Sequence, residues 1–124
     1  MRQLWHRYNP NTDVFYDPAS GRMVVHVELA GADPESLSVS VDDDGLAITG
    51  SRVDRSGPCG SILQKEIEYG PFAKKLRLPA PIDVEAATAT YNDGILTITL
   101  PLSQSEELPS PHAQLRMIVR KISV

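Results

Sequence analysis

The feature that most constrains this chain is its division into short runs where apolar and polar residues alternate, separated by clusters of Gly, Pro, Asn and Asp. Alternation with a period of two places apolar side chains on one face of a pleated strand, and frequent turn signals call for many short strands. Met23, Val25, Val27 and Leu29 form one such dry face, and Leu37, Val39 and Val41, spaced by Ser38 and Ser40, form the next. No segment carries a helical period over a useful length. The expected class is all-β, a sandwich or barrel.

The turns sharpen this expectation. Leu46 and Ile48 mark a strand reached through Asp42, Asp43, Asp44 and Gly45, and Asp-Gly supplies the positive φ angles of a tight hairpin. The device repeats where Thr88, Ala89, Thr90 and Tyr91 run into Asn92, Asp93 and Gly94 and return with Leu96, Ile98 and Leu100 on the core side. Pro101 stops that strand for want of an N–H. Asp33 before Pro34 reads as the N-cap of a short helical turn that redirects the chain.

At 124 residues the chain suits one hydrophobic core. Its 41% apolar and 23% charged residues place it among globular chains. A net charge of -4 with mixed signs offers no footprint for nucleic acid or anionic membrane. The single Cys59 cannot close an internal disulfide and residues 1–9 carry no apolar run, so a cytoplasmic, reduced protein is expected. No catalytic, cofactor or metal site is expected either. Three consecutive carboxylates at 42–44 splay apart instead of wrapping a cation. Gly57-Pro58-Cys59-Gly60 resembles a cysteine-nucleophile motif too briefly to outweigh a flexible turn, even with His6 and His26 upstream as notional bases.

Two stretches do not fit the strand rhythm. Residues 52–70 make a connection of roughly twenty residues, long for a compact domain. Within it, 62–69 (ILQKEIEY) alternates as a strand would, with Leu63, Ile67 and Tyr69 on one side and Gln64, Glu66 and Glu68 on the other. It is expected to be a protruding arm strand. After Pro101, residues 102–112 read as a polar tether, followed by apolar Leu115, Met117, Ile118, Val119, Ile122 and Val124. This tail either adheres to another chain or folds back on its own domain as a final strand or helix. Met117 and Val119 share the spacing of Ile122 and Val124, which leaves the register open. The expected division is a short arm at 1–10, a sandwich at 11–101 and a C-terminal extension at 102–124.

The run 89–101 (ATYNDGILTITLP) is similar to the A-x4-G-[VI]-L-x-I-x-[LIV]-P signature of the small heat-shock proteins, the α-crystallin domain family. Leu29 to Glu35 (LAGADPE), Leu46 to Gly50 (LAITG), Tyr69-Gly70-Pro71-Phe72 and Leu78-Pro79 resemble further motifs of that family in the same order. The resemblance implies an immunoglobulin-like antiparallel β-sandwich, an ATP-independent holdase chaperone that keeps partly unfolded proteins from aggregating, and assembly into homodimers and larger homo-oligomers. It implies that Ile62, Leu63, Lys65 and Ile67 form a dimer arm received by Asp13, Val14, Phe15 and Tyr16 of a partner. It implies that Ile122 and Val124 anchor in a groove lined by Leu37, Val39, Val41, Ala89 and Tyr91. Two departures stand out: Lys74 and Lys75 precede Arg77 where the family usually carries Arg in that strand, and only about ten residues precede the first strand. Trp5 and Tyr8 are the apolar residues expected to meet clients there. The same topology also occurs in co-chaperone modules, so a monomeric adaptor is the alternative.

Overall fold

A computed structural model describes residues 8–42, 45–55, 57, 60–78, 81–103, 112–114 and 117–119. It contains strands β1 (Thr12–Asp17), β2 (Arg22–Glu28), β3 (Ser38–Asp42), β4 (Gly45–Arg52), β5 (Gly70–Leu76), β6 (Thr88–Asn92), β7 (Ile95–Pro101), β8 (His112–Gln114) and β9 (Met117–Val119). Five of them form one sheet in the order β1-β2-β7-β6-β9, and four form the other in the order β5-β4-β3-β8. All pairings are antiparallel except β6 with β9. The antiparallel β-sandwich that the resemblance implies is thus present, with one parallel pairing added at the β6–β9 edge.

The core lies between the two sheets, where the alternating residues read from the sequence meet. Met23, Val25 and Val27 of β2, Ala89 and Tyr91 of β6 and Leu96, Ile98 and Leu100 of β7 are all buried. Val39 and Val41 of β3, Leu46 and Ile48 of β4 and Phe72 of β5 are buried with them. Leu96, Ile98 and Leu100 have no exposed surface, and burial of such side chains contributes roughly 1.5–3 kcal/mol each.

Local geometry follows the turn chemistry. Asp93 and Gly94 adopt φ of 54° and 78°, the paired positive values of a two-residue hairpin whose twist matches its strands. Asp33 accepts a hydrogen bond from the Glu35 backbone N–H at 3.1 Å and caps the 3₁₀ turn Pro34–Ser36. Gly50 faces Phe72 across the β4–β5 ladder. A Cβ there would lie 2.7 Å from the Phe72 ring and 2.8 Å from Leu37, so glycine is what lets the ring lie against the strand. The loop residues Asp43 and Asp44 of the first expected hairpin lie outside the described residues.

The boundaries differ from those expected. Tyr8 and Pro10 are buried, and the Glu28 N–H donates to the Asn11 carbonyl at 2.9 Å, so the sandwich begins at least as early as Tyr8. At the other end Leu102 bridges to Ile82 and donates to the Gly21 carbonyl at 2.9 Å, and Ser103 donates to the Pro81 carbonyl at 3.0 Å. These backbone groups need partners once water is excluded, and the sandwich supplies them. Residues 112–114 and 117–119 are outer strands, as in the alternative in which the tail folds back on its own domain.

Candidate functional site

Apart from β8 and β9, four strands lie at lateral edges, β3, β6, β1 and β5, and they differ in what covers them. On one side, β3 pairs with β8 through Ser40↔Gln114, Val41↔Ala113 and Asp42↔His112. In the other sheet β6 pairs with β9 through Ala89↔Met117, Thr90↔Ile118 and Tyr91↔Val119. The five expected groove residues, Leu37, Val39, Val41, Ala89 and Tyr91, come together here and are all buried. Tyr91 also donates its hydroxyl to the Leu29 carbonyl, and burial pushes its phenol pKa above the ordinary 10.0. Of the two possible registers, the one involving Met117 and Val119 is seen against β6 in the same chain. Ile122 and Val124 lie outside the described residues.

On the opposite side β1 pairs with β2 along one flank and has no strand on the other among the described residues. None of its residues is buried. Val14, Phe15 and Tyr16 are about half exposed, and the Phe15 ring meets the His26 ring edge-on, at 5.4 Å between centroids. An apolar edge of this kind can pair with another strand. Asp13, Val14, Phe15 and Tyr16, the expected arm acceptor, are thus together on an open ladder.

The arm itself is not a strand in the single chain, contrary to the alternation of 62–69: a ladder needs a strand alongside, and among the described residues none pairs with this segment. Ile62, Leu63 and Ile67 project into solvent, Leu63 with 97% of its surface exposed. Lys65 forms a 3.0 Å ion pair with Asp54 on the outgoing limb and lies 4.6 Å over the Tyr69 ring. An exposed pair of this type contributes little, about 0–1 kcal/mol.

A residue that sequence reasoning missed fixes the base of the arm. Arg52 Nε donates to the Glu68 carbonyl at 2.8 Å, Nη2 reaches the same oxygen, and Nη1 donates to the Ala30 carbonyl at 3.2 Å. Its guanidinium stacks 3.8 Å from the Tyr8 ring centroid. The planar fork thereby ties the arm, the turn after β2 and the N-terminal segment together. No motif announces this, because the acceptors are backbone carbonyls 16 and 22 residues away.

Tyr8, expected on an exposed client-binding arm, is instead part of the core at 9% exposure. Its hydroxyl donates to the Glu28 carbonyl at 2.8 Å, and its ring meets Phe72 edge-on at 5.8 Å. Burial raises its phenol pKa above 10.0 despite the opposing Arg52 charge. Trp5 lies outside the described residues, as do His6 and Cys59. Lys74 is likewise committed: its Nζ reaches the Pro10 carbonyl at 3.2 Å and Asn9 Oδ1 at 3.4 Å. Among the described residues no three His, Cys, Asp or Glu side chains gather as a metal site, and no helix is long and apolar enough to cross a membrane.

A sequence model of the Hsp20/alpha crystallin family matches residues 18–116. The chain is 33% identical over 110 residues to a 19.0 kDa class II heat shock protein of Oryza sativa subsp. japonica, covering 83% of this chain and 63% of that protein. It spans less than two thirds of the length of the curated relatives it first matches. Among solved structures, heat shock protein 16.0 of Schizosaccharomyces pombe superposes with a TM-score of 0.70 at 29% identity, over 84% of this chain and 98% of the other. A small heat-shock protein of Xylella fastidiosa, described as having a distinct high order structure, gives a TM-score of 0.70 at 28% identity, over 84% and 94%.

Proposed function

Because the chain belongs to the Hsp20/alpha crystallin family, a family of chaperones and not of enzymes, we propose that it is an ATP-independent holdase that self-associates and shields partly unfolded proteins. The observation carrying this reading is the pairing of surfaces left open: a bare β1 edge bearing Val14, Phe15 and Tyr16, and an arm bearing Ile62, Leu63 and Ile67, all exposed.

Strand addition explains how the two complement each other. An arm from one chain, laid along β1 of a second, gains the ladder hydrogen bonds that its own fold cannot provide, while alternate side chains cover the exposed apolar row. The relation is reciprocal, so two arms and two edges close a dimer about a two-fold axis. Ile122 and Val124 then link dimers by entering the groove beside β3 and β6 of a neighbour. Each contact is weak, and repetition makes the assembly stable while individual links exchange. Apolar surface uncovered during exchange, including Val53 and the β1 row, receives aggregation-prone chains. Holding them needs no nucleotide.

Aggregation of a heat-labile client, followed by light scattering with and without ATP, tests this reading. Suppression independent of ATP is expected. A monomer by size-exclusion with light scattering that leaves client aggregation unchanged would favour the adaptor alternative.

A further inference from the structure

We propose that Lys65 sets the register in which the arm docks on a second copy of this chain, by exchanging one ion pair for another: with Asp54 of its own chain before docking, and with the partner's Asp13 afterwards. The proposal rests on the strand addition proposed above and names the residue pair that directs it.

The pairing of β1 with β2 decides which side chains an incoming strand meets. Asp13, Phe15 and Asp17 stand opposite His26, Val24 and Arg22 and share the outer face of the sheet, while Thr12, Val14 and Tyr16 stand opposite the buried Val27, Val25 and Met23. The two carboxylates of that outer face differ. Asp17 is engaged in the turn that follows β1, accepting from the Ala19 N–H at 3.0 Å and from the Ser20 hydroxyl at 2.7 Å. The Asp13 side chain is exposed, and no hydrogen bond or ion pair engages it among the described residues.

The arm offers a matching set. As a strand it would carry Leu63, Lys65 and Ile67 on one face and Ile62, Gln64 and Glu66 on the other, and Lys65 is the only cation of 62–69. With Lys65 opposite Asp13 and the strands antiparallel, Leu63 falls opposite Phe15, Ile62 opposite Tyr16 and Gln64 opposite Val14. Opposite charges and apolar pairs facing each other across a ladder are the favourable combinations. In a parallel ladder from the same ion pair, Glu66 and Glu68 would lie against Val14 and Tyr16. Lys65 opposite Phe15 would put Leu63 and Ile67 against Asp13 and Asp17 in either direction, and Lys65 opposite Asp17 would need a carboxylate already held in its own turn. A slip of the antiparallel alignment by one residue brings Glu66 or Gln64 to Asp13 and turns every side chain to the other face. Apolar contact alone would tolerate several of these alignments; the charges favour one.

The single chain holds Lys65 in reserve. Its ammonium lies 3.0 Å from Asp54, with both side chains nearly half exposed, and 4.6 Å over the Tyr69 ring. An exposed pair of this kind is exchanged at little cost. Asp54 thus keeps the arm's cation until an incoming β1 presents Asp13, and an edge without a carboxylate at that position forfeits the exchange. The pair therefore favours a second copy of this chain over other apolar edges.

The test uses the full chain with Lys65→Glu, Asp13→Lys and Asp17→Asn, the dissociation constant of the two-chain species being read by sedimentation across dilution at low salt. Lys65→Glu alone and Asp13→Lys alone place like charges at both junctions of a two-fold dimer, and each should weaken it by about tenfold or more. Mixed in equal amounts, these two chains should form a heterodimer of near wild-type affinity, because each junction then joins opposite charges. Asp17→Asn should change the affinity by less than about twofold. Single variants that associate as tightly as the wild type, a mixture no tighter than its parts, or a loss at Asp17→Asn as large as at Asp13→Lys would overturn the register. Leu63→Asp tests strand addition by itself. An undiminished dimer there rejects the arm and the register with it, whereas a dimer weakened by Leu63→Asp but indifferent to the charge variants keeps the arm and rejects Lys65 as its guide.

Discussion

The two lateral sides of this sandwich are made of the same kind of strand, yet one is closed by the chain itself and the other is left open. On the closed side, β3 and β6 send Val39, Val41, Ala89 and Tyr91 into the core and receive β8 and β9 along their outer flanks. On the open side, β1 buries no residue and is held to β2 by its ladder and the Phe15–His26 ring contact. An edge whose side chains already belong to the core gains from any strand that excludes water from it. An edge that is exposed on both faces contributes little to its own fold and is available to another chain. On the proposed reading, the molecule separates folding from association: the first is concentrated around β2, β7 and β6, and the second is assigned to β1 and the arm.

The sharpest way to break this contrast is to remove what both sides share. Leu96→Ala deletes a side chain with no exposed surface in β7 and should lower the unfolding free energy by about 2–5 kcal/mol in urea denaturation. A loss confined to one edge, with the rest of the sandwich unaffected, would show that the two sides do not lean on a common core. Arg52→Ala acts next, by about 1–2 kcal/mol, since it removes a stacked cation and charge-assisted hydrogen bonds. Hydrogen exchange should rise at 66–69 and at the turn after β2 well before it rises at 88–92. Equal rises at both would mean that the arm base is not a separate unit.

A smaller effect is expected in alkali. Burial favours the neutral phenols of Tyr8 and Tyr91, so both keep their protons above the ordinary 10.0. The unfolded chain then releases protons first. The stability tied to these groups is fully present below about pH 10 and is lost as pH rises through their folded values. Phenolate absorbance should lag for these two rings until the fold opens; simultaneous ionisation of every tyrosine near 10.0 would contradict the burial argument. The smallest effect on folding belongs to Phe15→Asp on the open edge, below about 0.5 kcal/mol. The same substitution should reduce particle mass, because it puts a charge where an incoming strand must pack. A loss of stability with no change in mass would reverse the roles assigned to the two sides.

Much of the sandwich was legible from the chain. The rows at 23–29, 37–41 and 96–100 could only be dry faces, and Asp93-Gly94 could hardly be other than a tight hairpin. The β1 edge was singled out only through the family resemblance, which names Asp13 to Tyr16 as an arm acceptor; nothing in its own pattern marked it as an edge. Tyr8 was misread because a lone aromatic before the first strand carries no period. Its burial follows from Phe72, Glu28 and Arg52, which only the folded chain brings to it. Arg52 was invisible for a related reason: its partners are carbonyl oxygens, which every residue has.

Alternation, turn residues and composition were enough to determine that this chain makes an all-β fold, and which side chains fill it, because both follow from local geometry and the exclusion of water; the choice of sandwich over barrel came from the family resemblance. Which edge the tail would cover, in what direction, and which edge would stay bare were decided only in three dimensions. Strands of similar pattern are interchangeable in sequence, and the choice among them rests on ladder hydrogen bonds between residues far apart in the chain.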